Sequence, residues 1–396
     1  MIITCVQFHN ELLNKELPLL YSIYNDKIIE KYSKEGYVQH KEFYELPKWV
    51  GIVYNNFKYL YYNNKEIEVK LEVIKDIFDE KVIANLNNSD YILFSIGNFN
   101  KDLVQDLIQY INADTNILIG GYISLKNFNK KTKAYNTIKE MVDELLDKLE
   151  IHQFVEYKDY PDYNIFNEYF NTLCLKTIPR ISIVDGCFNK CTFCSVNRSI
   201  KCLPISEIGK EFTILLENDL DYKLIYINDK SFGDKRLYNV QFDTLKHLIH
   251  TFDYEGKFII QSNINSINEN FLDLCIENNI WGIELGIEIF SDNVLLSVNK
   301  QQTEEDIQAS IYLINEYNRL NNTDIKIIPN FIIGLPKATP EDYQKTLEFI
   351  KNNHFTFANV FLYEDGVNYK ENDYIKRNSI SRYYYEQYLK LLISKL

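Results

Sequence analysis

Cys187, Cys191 and Cys194 stand at a C-x3-C-x2-C spacing in the stretch Cys187-Phe188-Asn189-Lys190-Cys191-Thr192-Phe193-Cys194. Thiolates packed this densely on a short loop can all face one point, which suits a soft metal or an iron–sulfur cluster. The count is three, not four. A [4Fe–4S] cluster held by three thiolates keeps one iron free for a ligand that the protein does not supply, as a catalytic zinc site keeps one open position. Taken alone, the triplet also allows zinc or electron transfer. His247 and His250, at i and i+3, are a second candidate metal pair, and a surface or core pair is the commoner reading.

The elements around this loop alternate. It follows the apolar run Ile181-Ser182-Ile183-Val184. Further strands are expected at 224–228, 258–261, 282–288, 326–333 and 358–362. Helices are expected near 206–217, 237–251, 268–278, 304–318 and 340–351, the last with Thr339 as N-cap and Pro340 at its first position. Six strands, each followed by a helix or the terminal segment, predict a partial (β/α)6 barrel. In such barrels chemistry sits at the C-terminal strand ends, and the cysteine loop follows the first strand. Upstream, strands at 2–8, 91–97 and 117–121 alternate with helices at 18–24, 73–86, 103–111 and 137–149. That predicts a doubly wound, Rossmann-like α/β domain. The Tyr-rich stretch 49–69, with Asn-Asn and Asn-Lys turn signals, reads as a hairpin or irregular insertion. The domains are therefore 1–150, a connector at 151–180, a barrel at 181–365, and a helical extension at 366–396.

The chain has 396 residues, 46% of them hydrophobic and 25% charged, the composition of a soluble protein. Its net charge of −13 argues against a broad nucleic-acid face. No apolar run is long enough to span a membrane, and no signal peptide opens the chain, so a cytoplasmic protein is expected. Seven cysteines, an odd number with three clustered, do not form a disulfide framework. Cys5 and Cys275 read as core cysteines. Cys174 and Cys202 flank the triplet without forming a second close-spaced set.

From Ile181 to Tyr363 the chain resembles the radical S-adenosylmethionine (SAM) enzymes. The cysteine spacing is theirs, with the aromatic Phe193 before the last cysteine. Ile225-Tyr226-Ile227-Asn228-Asp229-Lys230-Ser231-Phe232 is similar to their second strand. Gly282-Ile283-Glu284-Leu285-Gly286-Ile287-Glu288 is similar to the fourth, and Phe331-Ile332-Ile333-Gly334-Leu335-Pro336 to the fifth. Asn299-Lys300 with Thr303-Glu304-Glu305 resembles the linker after the fourth strand. The resemblance implies that Cys187, Cys191 and Cys194 hold a [4Fe–4S] cluster whose fourth iron binds SAM. Reductive cleavage then yields a 5′-deoxyadenosyl radical that abstracts hydrogen. It also implies roles at the SAM site: Asp229 toward the ammonium group, Glu288 toward the ribose, Ile332 and Phe193 beside adenine, and Gly334 permitting close backbone approach. Glu284 is expected to be structural or substrate-facing.

The N-terminal half is similar to the cobalamin-binding domain that precedes some such barrels, through Asp90–Gly97, Ile117–Ser124 and Tyr160-Pro161-Asp162-Tyr163. It lacks the Asp-x-His-x-x-Gly motif of that family. The expected function is a radical SAM enzyme acting on a peptide or small molecule, with an electron donor such as flavodoxin or ferredoxin. Cobalamin is an alternative additional cofactor, and a cobalamin-dependent C-methyltransferase the alternative function. An RNA methylthiotransferase is disfavoured by the acidic charge and the missing second cysteine set. A non-catalytic iron–sulfur module is disfavoured by the intact triplet.

Overall fold

The computed structural model describes residues 1–9, 12, 18–33, 47–97, 100–121, 132–151, 156–166, 178–194, 196–217, 223–355, 357–363 and 371–396. Side chains of 18, 19 and 371–378 are outside that description, as are Cys174 and much of the expected connector. The chain divides into two compact units.

In chain order the first elements are β1 (Ile2–Phe8), α1 (Pro18–Tyr32), α2 (Lys48–Phe57), β2 (Tyr61–Tyr62), β3 (Lys65–Glu66) and β4 (Glu68–Ile74). Next come α3 (Glu80–Asn87), β5 (Tyr91–Ile96), α4 (Lys101–Ile108), β6 (Asn116–Gly121), β7 (Thr132–Tyr135) and α5 (Ile138–Lys148). The first unit is built on a five-stranded sheet in the order β4-β1-β5-β6-β7, all pairs parallel. Strand order reverses between β1 and β5, which places the crevice of this doubly wound sheet at their C-terminal ends. Val6, Ile92, Phe94, Leu103, Leu107 and Ile119 belong to the apolar core between sheet and helices.

Two expectations change here. Part of the 49–69 segment is helical: Val50, Val53 and Phe57 fall at helical spacing and are buried on one face of α2. Only the Asn63-Asn64 turn, with both residues at positive φ, forms a small hairpin between β2 and β3. The expected helix at 73–86 starts only at Glu80, where Asp79 caps it by accepting from the Lys81 N–H. Val73 instead lies in β4, which runs to Ile74. Residues 156–166 pack within this unit, with Lys158 and Asn56 exchanging hydrogen bonds.

The remaining elements are β8 (Arg180–Ile181), β9 (Val184–Asp185), β10 (Lys201–Cys202), α6 (Ile205–Leu216), β11 (Leu224–Phe232), α7 (Tyr238–Phe252) and β12 (Lys257–Ser262). They continue with α8 (Glu269–Glu277), β13 (Ile280–Glu288), α9 (Asp292–Ser297), α10 (Glu304–Asn321), β14 (Lys326–Ile333), α11 (Pro340–Asn352), β15 (Asn359–Leu362) and α12 (Glu371–Lys395). Six parallel strands run in the order β15-β14-β13-β12-β11-β8. Apart from the small β9–β10 pair between β8 and β11, each neighbour is the next strand in the chain, so the sheet winds one way and curls into a half-barrel. Thr303 and Thr339 each close a capping box, with Asp306 and Asp342, and so fix where α10 and α11 begin.

Helix α1 groups with this second unit although its sequence lies in the first half of the chain. The Tyr24 hydroxyl donates to the Ala358 carbonyl and accepts from the Ala358 N–H, both at 2.8 Å. Tyr32 packs edge-on to Trp281. In α12, Tyr388 is buried and donates to the Tyr343 carbonyl. The tyrosine-rich tail is therefore a packing element.

Candidate functional site: a cysteine loop at the open end of the half-barrel

The chain turns out of β9 at Gly186, whose φ is +92°. A Cβ there would stand 2.2 Å from the Ser199 carbonyl oxygen, so only glycine lets the loop close on itself. Beyond it, the Cys187 N–H donates to Asn197 O, and the Cys194 N–H to Cys191 O. Arg198 braces the loop from within. Its guanidinium donates to the carbonyls of Cys191 and Cys194, both at 3.0 Å, and to that of Asn189. The segment after α9 grips the other side. The Thr192 N–H donates to Val298 O at 2.9 Å, and the Asn299 amide to Lys190 O at 2.9 Å. Cys187 and Cys191 are buried, and Cys194 is half-buried.

Burial raises the pKa of Cys191; Lys300 opposes it, and the charges of Glu288, Cys194 and Cys187 add smaller upward shifts, which places the other two sulfurs near by. Among the described residues, no three His, Cys, Asp or Glu side chains are grouped as a site for one metal ion. A [4Fe–4S] cluster binds each thiolate to a different iron, so its ligands need not converge on one atom. Three cysteines on one braced loop, with a buried cation beside them, fit such a cluster.

That cation is Lys300. Its Nζ lies 2.7 Å from Glu288 Oε1, and both side chains are about nine-tenths buried. Burial depresses the lysine pKa, but the Glu288 carboxylate and the Cys191 and Cys187 thiolates outweigh it, and the net shift is upward. The local fold is built for this pair. Between Gly286 and Glu288 the β13–β14 register slips, and Glu288 sits at φ +66°. A non-glycine residue there carries roughly 1–3 kcal/mol of strain. The bulge re-aims the carboxylate. A Cβ on Gly286 would lie 2.7 Å from both Glu288 Oε1 and Lys300 Nζ, so glycine makes the room. Gln302 then satisfies the bulge carbonyls of Gly286 and Ile287.

Asp229 takes a different part from the one expected. It is buried, on the opposite face of β11 from Asn228 and Lys230. Oδ1 accepts from the N–H groups of Ile183 and Val184, at 2.8 and 3.0 Å, and Oδ2 from Gln241 Nε2 at 2.7 Å. The expected contact with the SAM ammonium group gives way to a brace on the strand that feeds the cysteine loop. Burial pushes its pKa up to about 6 against these hydrogen bonds.

Phe193 and Ile332 are half-buried, and Ile332 sits on the same face of β14 as Asn330. Gly334, at φ +93°, donates its N–H to the Tyr343 hydroxyl at 2.9 Å. Cys275 and Cys5 are fully buried, and burial raises both thiol pKa values. His247 and His250 are exposed on α7, and His247 lies 3.4 Å from the Thr251 hydroxyl. Arg198 and Lys300 are the residues of the candidate site that sequence reading missed. Arg198 is a lone arginine in a polar loop, with no local pattern to single it out. Lys300 stood inside a matched linker, but its pairing across twelve residues with Glu288 needs the fold.

A cavity of about 480 Å³ lined by Lys31, Asp324, Lys326, His354 and Lys395 lies at the N-terminal strand ends, away from the loop. Lys395 there donates to three carbonyls at the end of α11.

A sequentially ordered parallel half-barrel with a three-cysteine loop after its first strands defines an enzyme class. Residues 181–350 match the family model for the Radical SAM superfamily. This segment belongs to that superfamily of enzymes, whose members use a [4Fe–4S] cluster and SAM.

Relatives are distant. The ribosomal protein uS12 methylthiotransferase RimO of Hydrogenobaculum sp. (strain Y04AAS1) is 22% identical over 337 residues, 80% of this chain and 78% of the relative. RimO of Clostridioides difficile (strain 630) is 26% identical over 59% of this chain and 52% of its own length. Among solved structures, the cobalamin-dependent SAM radical enzyme OxsB aligns with a TM-score of 0.58 at 15% identity, over 98% of this chain and 56% of that one. The radical SAM methyltransferase TsrM from Kitasatospora setae aligns with a TM-score of 0.54 at 10% identity, over 91% and 72%. The chain thus spans about half the length of OxsB and of the C. difficile RimO. Among the described residues no helix is long and apolar enough to cross a membrane.

Proposed function

We propose that this chain is a radical SAM enzyme that abstracts hydrogen from a peptide or small-molecule substrate in the half-barrel. The observation that carries the reading is the braced cysteine loop with the buried Glu288–Lys300 pair beside it. Cys187, Cys191 and Cys194 would hold a [4Fe–4S] cluster, and such a cluster would supply the electron for reductive cleavage of SAM and so the oxidising power for hydrogen abstraction.

The protein's own part is position and exclusion of water. Arg198 and the 298–300 segment hold the loop in one shape. Lys300, a buried ammonium beside the thiolates, is placed for the carboxylate end of SAM. Glu288 keeps Lys300 charged and oriented, and its second oxygen is available to a ribose hydroxyl. Phe193, Ile332 and the backbone at Gly334 supply the apolar surround expected for adenine. A flavodoxin- or ferredoxin-like donor would supply the electron.

A cobalamin-dependent C-methyltransferase is the second reading. The doubly wound first sheet, with its crevice between β1 and β5, and the fold likeness to OxsB and TsrM support it. The missing Asp-x-His-x-x-Gly weighs against a histidine-ligated corrinoid. Methylthio transfer, the activity named for the RimO relatives, draws no support from the N-terminal half. Cys5 is the one cysteine before residue 151, and it is sealed in the core.

The test is anaerobic purification, an absorption spectrum, and addition of SAM with a reductant. Release of 5′-deoxyadenosine supports the first reading. Retained cobalamin with S-adenosylhomocysteine formed moves the assignment to the second. Bound zinc with no cluster overturns both.

A further inference from the structure

The turn that leaves β11 closes on the front of the cysteine loop. Gly233 sits in it at φ +83°, and a Cβ there would stand 2.3 Å from the Phe271 ring, so glycine lets the turn pack. Its N–H donates to the buried Gln241 side chain at 2.8 Å. Asn263, just past β12, ties the end of β11 to the loop. Its amide donates to the Ser231 hydroxyl, and the Asn189 amide donates to its Oδ1 at 3.1 Å.

Arg236 reaches the loop one residue earlier. Its guanidinium lies 3.6 Å from the centroid of the Phe188 ring, the side chain that follows Cys187. A cation over a ring face is attracted to it. Asp234 fixes the fork: Nε donates to Oδ1 at 2.8 Å and Nη2 to Oδ2 at 2.6 Å. The Arg236 backbone N–H also donates to Oδ1, at 3.0 Å. The two charges do not stand alike toward the cysteines. Cys187 is among the groups that raise the Arg236 pKa, whereas Asp234 is held low by Arg236 against burial, with no cysteine acting on it. The ion pair is a dipole with its positive end toward the loop.

We propose that Arg236 is a positioning residue: it holds a positive charge against Phe188 and so raises the reduction potential of the cluster carried by Cys187, Cys191 and Cys194. This rests on the radical SAM reading and deepens it, naming a residue that governs how readily the site takes its electron. Reduction brings one electron from an external donor and adds one negative charge at the cluster, so a nearby positive end favours the reduced state. Lys300 acts in the same sense from the interior. The Arg236 side chain is 56% exposed, so salt weakens its effect.

The experiment is a mediated dithionite titration of the reconstituted full chain without SAM, with the reduced cluster followed by electron paramagnetic resonance. Arg236→Gln leaves the Asp234 charge uncompensated. It should lower the midpoint potential, reducing the ratio of reduced to oxidised cluster several-fold at a fixed potential. Asp234→Asn removes the negative end and should raise the midpoint. Arg236→Lys keeps the charge and should stay near the parent. Each shift should shrink as salt is raised. Arg319→Gln breaks a similar fork, with Glu316 in the last turn of α10, and should match the parent. Loss of loop shape alone would move Arg236→Gln and Asp234→Asn in one direction. Shifts of the same sign, or parent potentials in both, overturn the proposal. If Arg236→Gln fails to load iron, a parent potential in Asp234→Asn overturns it by itself. Release of 5′-deoxyadenosine is measured separately on the parent with SAM. Opposite shifts with no release would sink the radical SAM reading alone, and no cluster in the parent overturns both.

Discussion

Lys300 Nζ and Glu288 Oε1 form a 2.7 Å ion pair in the interior, close enough to Cys191 and Cys187 to act on their charges and across a strand bulge. Removing either partner leaves the other charge buried without compensation, which costs about 3–5 kcal/mol. Lys300→Met should therefore lower the melting temperature and also weaken SAM binding, read by equilibrium dialysis. Glu288→Gln keeps a hydrogen-bond acceptor and should lose less stability than Glu288→Ala. SAM affinity unchanged in Lys300→Met would remove this lysine from the site.

Arg198 donates from Nη2 to the Cys191 and Cys194 carbonyls and from Nη1 to that of Asn189, a three-carbonyl span that suits a planar fork better than a single ammonium. Arg198→Ala should lower iron content and cluster absorbance after reconstitution, with the far-ultraviolet spectrum of the fold unchanged. Arg198→Lys should recover only part of the loss. Full cluster loading in the alanine variant would show that the loop holds its shape without the brace.

Asp229 gives a pH signature of definite sign. Its folded pKa, about 6, lies above the ordinary carboxylate value of 3.8. The native state then binds more protons than the unfolded chain between roughly pH 4 and 6. Its contribution to stability falls as pH rises through that window and is level above it. Asp229→Asn should flatten this part of the stability profile, measured by denaturant titration. The same variant sets its amide against Gln241 Nε2, while Gln241 Oε1 already accepts from Gly233. It should lose about 1–3 kcal/mol at neutral pH. The pair Asp229→Asn with Gln241→Glu restores a donor facing an acceptor and should regain much of that. No recovery in the double variant would refute the assigned pairing.

Two cysteine substitutions should separate. Cys191→Ala removes one of the three proposed cluster ligands and should abolish SAM cleavage. Cys275→Ala, in the core of α8, should lower stability by about 1 kcal/mol and leave 5′-deoxyadenosine formation intact. Loss of product turnover in Cys275→Ala at normal stability would give that thiol a chemical role instead.

Much of the second unit was legible because its signals are local. The strand expected at 326–333 is the strand observed: Ile327, Ile328, Phe331, Ile332 and Ile333 keep it apolar and strand-forming although Pro329 and Asn330 interrupt the run. The Thr339-Pro340 start of α11 follows from capping chemistry within four residues. The 49–69 stretch misled because its aromatic and β-branched content suggests strand while its burial spacing is helical, and burial won.

The sequence by itself determined the cysteine loop, the order of strands after it, and thus the superfamily: each is a matter of residue type and short spacing. Only the tertiary structure decided what surrounds the loop. It turned Asp229 from a ligand into a brace, because side-chain alternation on β11 faces it away from the lumen. It joined Lys300 to Glu288 through a bulge, carried Tyr24 to Ala358, and set Arg180 and Lys230 on one oxygen of Asn228. The Tyr24–Ala358 and Arg180–Asn228 contacts join residues far apart in the chain, and they exist only once the strands have paired.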